Sequence, residues 1–69
     1  MSEKDVRIGY AAARINAGYE QSEAAKLLGI SMYTLSNYER GRTIPNWDMH
    51  NKMAELYRIP KEMLCPPKK

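Results

Sequence analysis

The chain has very little cysteine, histidine and phenylalanine: one Cys, one His and no Phe among 69 residues. A single thiol excludes a disulfide framework within the chain, and Cys65 with His50 cannot form a cysteine and histidine metal cluster. No apolar run approaches the roughly 20 residues that cross a bilayer, and the charged first five residues lack the apolar core of a signal peptide. We therefore expect a cytoplasmic protein with no metal, no cofactor and no membrane partner.

The length and charge of the chain limit the classes of function that we expect. Sixty-nine residues suffice for one domain, which we expect to have an ordered core over about 5–65 and a flexible tail over 66–69. An enzyme is not expected, because there is no paired-carboxylate cleft, no nucleophile with a base and no phosphate loop, and a chain this short has little room for a pocket. The net charge of +3 fits a polyanion partner and fits an ordinary soluble surface equally well.

Apolar residues recur at helical spacing, and no alternating β pattern of useful length is present. Glycines, prolines and capping residues divide the chain into five predicted helices, at about 5–17, 21–28, 32–40, 47–57 and 59–64. Ser31 and Asn46 are suited to be N-caps, while Gly29 and Gly41 are suited to end helices. The expected fold class is all-α, a compact bundle of five helices.

The predicted core takes one apolar face from each helix, with tyrosine bodies and methionines in place of phenylalanine. Its members are Val6, Tyr10, Ala13, Ala25, Leu28, Ile30, Leu35, Tyr38, Trp47, Met53, Ala54, Tyr57, Ile59 and Leu64. Trp47 is expected to anchor this core beside Pro45. His50, on the inward face of the fourth helix, is expected to be partly buried and hydrogen-bonded rather than a ligand.

The most informative segment runs from Gln21 to Arg40. An apolar helical face ends at Gly29, one hydrophobic residue follows, and Ser31 then starts a second short helix. Ala25 supplies a small side chain where the two helix axes must come close. Two short helices joined in this way form a helix-turn-helix, and the second helix of such a unit fits the major groove of DNA.

The chain from Val6 to Leu64 resembles the helix-turn-helix family of phage repressors and Cro proteins, the xenobiotic-response-element type. The matching positions are Arg14, Gly18, Gln21, Ala25, Leu28 to Ser31, Leu35, Ser36, Tyr38 to Gly41, Pro45, Ala54, Ile59 and Leu64. The resemblance implies a lambda-repressor-like domain of five helices whose third helix reads double-stranded DNA. It also implies a salt bridge between Arg14 and Glu39, in which the guanidinium holds the carboxylate through two parallel hydrogen bonds.

The resemblance places the base-reading side chains on the outer face of the third helix, at Met32, Tyr33, Ser36 and Asn37. Contacts to phosphate are expected from Gln21, Ser31, Thr34, Arg40, Arg42 and Thr43. The Asn37 amide can donate to and accept from adenine together, whereas Met32 can equally well pack at the rim of the domain. Glu20 departs from the Thr, Ser or Asn that the family has as N-cap, and its charge would weaken nonspecific binding to DNA.

Two functions stay open at this stage. The first is a sequence-specific DNA-binding transcriptional regulator of the nucleoid, expected to be a repressor. It would bind a pseudo-palindromic operator as a homodimer through Ile59, Met63 and Leu64. The second is a protein-binding module, such as the antitoxin of a toxin–antitoxin pair or a small adaptor, which the acidic Glu20 and Glu23 favour.

Overall fold

The computed structural model describes residues 7–67, so Val6 of the predicted core lies outside the described part of the chain. The described residues form four helices and two short strands. In chain order these are β1 (Ile8–Gly9), α1 (Tyr10–Asn16), α2 (Gln21–Leu28), α3 (Met32–Arg40), α4 (Trp47–Tyr57) and β2 (Leu64–Cys65). The predicted helical class is confirmed for most of this range, but the prediction of five helices without strands was wrong.

A turn and a strand replace the predicted fifth helix. The Met63 N–H donates to the Pro60 carbonyl at 2.9 Å, and β2 then pairs in parallel with β1, with Leu64 opposite Ile8. Pro60 lacks an N–H, and Pro66 cannot continue a helix. The few residues between these two prolines form too short a segment for a regular helix. Pairing with β1 gives the backbone of this short segment its hydrogen-bond partners.

Helix α1 begins at Tyr10 rather than near residue 5. Gly9 is its N-cap and is extended, with φ −72° and ψ 166°, because Ile8 and Gly9 pair with β2. Tyr10 and Ala13 of the predicted apolar face are buried. Ala17 is exposed because it caps the C-terminal end of α1, where the helix has left the core.

The other three helices begin and end where the sequence predicts. The side chains of Ser31 and Asn46 each accept a hydrogen bond from the backbone N–H three residues later, at 3.0 and 2.8 Å. These bonds satisfy donors that the helix itself leaves without a partner. Gly29 and Gly41 end α2 and α3 in the left-handed region, at φ +76° and +80°, which glycine adopts without steric strain.

The core lies where the four helices meet. Its buried apolar members are Tyr10, Ala13, Ala24, Ala25, Leu28, Leu35, Met53, Ala54, Tyr57 and Leu64. The partly buried Ile30, Tyr38 and Ile59 pack against it. Placing Trp47 in the core was wrong: the side chain is 65% exposed. As the first residue of α4 it stacks on the His50 ring, with centroids 5.8 Å apart, instead of entering the interior.

A nearly buried ion pair ties α1 to α3. Arg14 Nε donates to Glu39 Oε2 at 2.7 Å and Arg14 Nη2 donates to Glu39 Oε1 at 3.3 Å, with the side chains 12% and 7% exposed. Gln21 Nε2 donates to Glu39 Oε1 at 3.0 Å, and Arg14 Nη1 donates to the Tyr19 carbonyl at 3.0 Å. We refer to Arg14, Glu39 and Gln21 as the brace, because together they join α1, α2 and α3.

His50 links α1, α4 and the turn before β2. Its Nε2 lies 3.1 Å from the Lys61 carbonyl, which can only accept, so Nε2 carries the hydrogen of the neutral ring. Nδ1 is then the acceptor for the Tyr10 hydroxyl, 3.0 Å away. The expected partly buried, hydrogen-bonded histidine is confirmed. Burial, and secondly the neighbouring Cys65, raises the pKa of Tyr10 to about 12.

Tyr57 is a second buried tyrosine, and its hydroxyl oxygen has no hydrogen-bond partner within residues 7–67. Burial raises the pKa of Tyr57 to about 12; the Glu39 carboxylate also raises it, while Arg14 opposes. An unpaired buried hydroxyl destabilises a fold by about 1–3 kcal/mol. Tyr10 and Tyr57 are therefore a matched pair, the same ring with a bonded hydroxyl in one case and an unbonded one in the other.

We expect Tyr57→Phe to leave the free energy of unfolding unchanged or to raise it, because the change removes an unpaired polar atom and keeps the ring. Tyr10→Phe should lower it by about 0.5–1.5 kcal/mol, since the hydrogen bond to His50 is lost. Urea unfolding followed by circular dichroism measures both variants. Equal losses in the two would contradict this difference between the hydroxyls.

The brace can be tested by a double-mutant cycle. Arg14→Met should lower the free energy of unfolding by roughly 3–5 kcal/mol, because it leaves the Glu39 carboxylate buried without a counter-charge. Arg14→Met combined with Glu39→Met should lose less than the sum of the two single changes. Arg14→Lys, which keeps the charge but not the planar fork, should fall between wild type and Arg14→Met. Additive losses in urea unfolding would show that the two side chains are not coupled.

Candidate nucleic-acid interface

The two sides of α3 differ in exposure. Leu35 is buried in the core and Tyr38 is partly buried, so one side of the helix faces the protein. Tyr33 and Met32, in the first turn, are 74% and 48% exposed. The N-terminal turn of α3 therefore presents large side chains to solvent, while the opposite side of the helix packs against the core.

The turn between α2 and α3 sets the direction of α3. The left-handed Gly29 ends α2, and the Ile30 N–H donates back to the Ala25 carbonyl at 3.0 Å. Ile30 packs against the core, and Ala25, which is buried, leaves room for the two helices to approach. Ser31 then starts α3 as its N-cap. The turn fixes α3 to α2, and the brace fixes it to α1.

The four base-reading candidates lie along one side of α3, because residues three and four apart share a helix face. Ser36 and Asn37 are partly buried, whereas Met32 and Tyr33 are exposed. The backbone carbonyl of Asn37 accepts the Arg42 N–H at 2.9 Å, which holds its main chain at the end of α3. Within residues 7–67 no side-chain hydrogen bond engages the Asn37 amide, so this group is available to a partner.

The hydroxyls at the start of α3 are already linked to each other. Ser31 Oγ accepts from the Thr34 N–H and donates to Thr34 Oγ1, both at 3.0 Å. The hydroxyl hydrogen of Ser31 is thus used within the protein, whereas Thr34 Oγ1 serves only as an acceptor in this pair. Arg40, Arg42 and Thr43 are exposed at and beyond the other end of α3.

Gln21 has a contact that sequence reasoning missed. Its amide donates to Glu39 and the side chain is partly buried, so it is part of the brace. A phosphate contact at this position therefore depends on the backbone N–H groups that open α2. No local motif signals the bond from Gln21 to Glu39, since the two residues belong to different helices.

The two acidic residues at the start of α2 are exposed. Glu23 accepts a hydrogen bond from the Glu20 N–H at 3.3 Å, and both carboxylates face solvent.

The predicted dimer contact was wrong for Leu64, which is buried and, as part of β2, pairs with Ile8 of β1. Ile59 and Met63 are partly buried. Several large apolar side chains are exposed elsewhere, among them Ile44 in the loop after α3 and Trp47 at the start of α4.

Other kinds of site find little support within residues 7–67. No group of three His, Cys, Asp or Glu residues there could hold a metal ion, and no helix in that range is long and apolar enough to cross a membrane. A groove of about 660 Å³ lies between the C-terminal parts of α1 and α4, lined by residues such as Asn16 and Arg58. None of the residues of α3 lines it.

Comparison with known proteins agrees with this geometry. The profile of a family described as a helix-turn-helix domain matches residues 11–64. In Bacillus subtilis strain 168, the HTH-type transcriptional regulator ImmR is 44% identical over 52 residues, which are 75% of this chain and 41% of ImmR. The uncharacterized HTH-type transcriptional regulator YazB of the same strain is 38% identical over 52 residues, which are 75% of each protein.

No solved structure gives a significant match. The chain spans less than half of the length of ImmR but three quarters of that of YazB. The matched residues include all of α2, α3 and α4, together with the brace and the turn at Gly29. The chain belongs to the helix-turn-helix domain family.

Proposed function

We propose that the protein is a sequence-specific regulator of transcription that binds double-stranded DNA by placing α3 in the major groove. The observation that carries this proposal is the exposure of Tyr33 and Met32 on a helix whose other side is held by Leu35 and the brace. A major groove about 12 Å wide accepts a helix of this kind. The names of ImmR and YazB as HTH-type transcriptional regulators support the same function.

Two sets of side chains divide the work of binding. Met32, Tyr33, Ser36 and Asn37 would meet base edges, because they lie on the outer side of α3. The phosphate contacts would come from the side chains of Thr34, Arg40, Arg42 and Thr43 and from the backbone N–H groups at Gln21 and Ser31. Contacts of the second kind orient a protein on the duplex without reading sequence. The protein would act on the nucleoid, in the cytoplasm, without catalysing a reaction.

We further propose that it acts as a repressor and binds a pseudo-palindromic operator as a homodimer. Occupying a promoter requires only DNA binding, whereas activation needs a second surface for the transcription machinery. With Leu64 buried in the core, the exposed Ile44 and Trp47 are better placed than Ile59 and Met63 to meet a second copy. In this arrangement two copies of α3 would lie about 34 Å apart, one turn of DNA.

Substitutions should separate base reading from phosphate contact. Asn37→Ala should relax the base preference at one position of the binding site, by roughly 1–3 kcal/mol. Arg42→Ala should weaken binding to every duplex alike and reduce the salt dependence by about one phosphate contact. Lys52→Ala, which removes an exposed charge from α4, is the matched control and should change neither quantity.

These variants are compared by fluorescence anisotropy on a panel of duplexes taken from a random-duplex selection, at several salt concentrations. An unchanged preference profile in Asn37→Ala would reject the base-reading role. Failure of the selection to enrich any duplex, together with a stoichiometric protein partner on purification from the native cell, would favour a protein-binding module instead.

The dimer proposal predicts a dependence on half-site spacing. Inverted half-sites whose centres are one helical turn apart should bind more tightly than the same half-sites moved by a further half turn, because only the first spacing lets both copies of α3 face the groove. A duplex with a single half-site is the control. Equal affinity for all three duplexes, measured together with the mass of the complex by sedimentation, would contradict a dimer on DNA.

A further inference from the structure

The first two turns of α3 are poor in the side chains that read G·C pairs. From Met32 to Asn37 there is no Arg, Lys, Asp or Glu. In the major groove guanine is contacted mainly by Arg or Lys, and the amino group of cytosine by Asp or Glu. The nearest charged residues on α3 are Glu39 and Arg40. Glu39 is held in the brace, so its carboxylate is not free to meet a base.

We refer to the segment from Met32 to Asn37 as the tip of α3. Arg40 lies on the outer side of α3 but beyond this tip. A helix rises about 1.5 Å per residue, so the Cα atoms of Tyr33 and Arg40 lie about 10 Å apart along the axis. The major groove is about 8.5 Å deep. If α3 enters the groove with its N-terminus first, Arg40 lies at the level of the sugar-phosphate chains when Tyr33 reaches the bases. Its charge then serves a phosphate rather than a guanine.

The side chains that the tip does present suit A·T pairs. The Asn37 amide, which no side chain within residues 7–67 engages, has the donor and acceptor pattern that matches N7 and N6 of adenine. Tyr33 and Met32 expose an aromatic ring and a thioether. The apolar group that bases offer in the major groove is the methyl group of thymine. Ser36 can bond to any base edge and does not oppose this preference.

We propose that the tip of α3 recognises A·T base pairs, with Tyr33 and Met32 against thymine methyl groups and Asn37 on adenine. This inference rests on the proposed function and adds the base composition and the atoms that are read. It makes the methyl group of thymine a direct determinant of affinity. Burial of one such group corresponds to about a fourfold change in the dissociation constant.

The test uses the full chain and a duplex obtained by random-duplex selection. Each thymine is replaced by uracil in turn, which removes the methyl group and leaves base pairing intact. We expect about fourfold weaker binding at one or two positions of each half-site and no change in the flanking DNA. The same substitutions should have no effect in Tyr33→Ala or in Met32→Ala, depending on which side chain meets that methyl group.

Leu27→Ala is the matched control, because Leu27 is an exposed apolar residue on α2 rather than at the tip of α3. This variant should keep the full loss on uracil substitution. Replacement of adenine by 7-deazaadenine removes the N7 acceptor and should weaken binding at the position that Asn37 reads. That loss should vanish in Asn37→Ala.

The outcomes distinguish failure of the A·T preference from failure of the proposed DNA-binding function. A selected duplex with G·C pairs at the positions sensitive to Tyr33 and Asn37 overturns the inference and leaves DNA binding intact. Uracil substitution without effect at every thymine overturns the methyl contact in the same way. If no duplex is enriched at all, the proposed function is wrong and the inference with it.

Discussion

The position of α3 depends on the ion pair between Arg14 and Glu39. A helix of nine residues is too short to be stable by itself in water, and Leu35 is its one fully buried side chain. Tyr38 packs beside Leu35 against the core, and apolar contact of this kind, which has no preferred direction, attracts the helix without fixing its rotation about its own axis. The two hydrogen bonds from Arg14 to the Glu39 carboxylate fix the rotation of α3, because each bond has a preferred angle as well as a preferred distance.

In the rest of the fold, too, apolar contacts bring the helices together and hydrogen bonds fix their relative orientation. Four of the ten buried apolar residues within residues 7–67 are alanines, so the core brings the helices close together but offers few large side chains to fix their relative positions. Polar contacts supply the missing order. His50 relates α1 to α4 through the Tyr10 hydroxyl and reaches the turn before β2 through the Lys61 carbonyl. The surface that we propose for DNA binding is thus built on a small core whose geometry is set largely by hydrogen bonds.

Sequence reasoning succeeded where the signal was local. The bounds of α2, α3 and α4 depend on residues within or beside each helix, such as Ser31, Asn46 and Gly41, and these were predicted correctly. The pairing of β1 with β2 depends on residues at opposite ends of the described chain, and strands of two residues have no periodicity to detect. Trp47 fits the inward face of α4 by spacing, but as the first residue of that helix its side chain lies outside the core. The contact of Gln21 with Glu39 was hidden because it crosses between helices.

The parallel pairing of β1 with β2 has a consequence for how the protein opens. Closing a chain segment costs conformational entropy that grows only with the logarithm of its length, so joining the first and last described elements is little harder than closing a short loop. Once joined, neither element can fray alone, because separating one strand removes the backbone partners of the other. Transient opening at this edge is therefore a concerted event, and it exposes the start of α1 together with the turn that His50 holds.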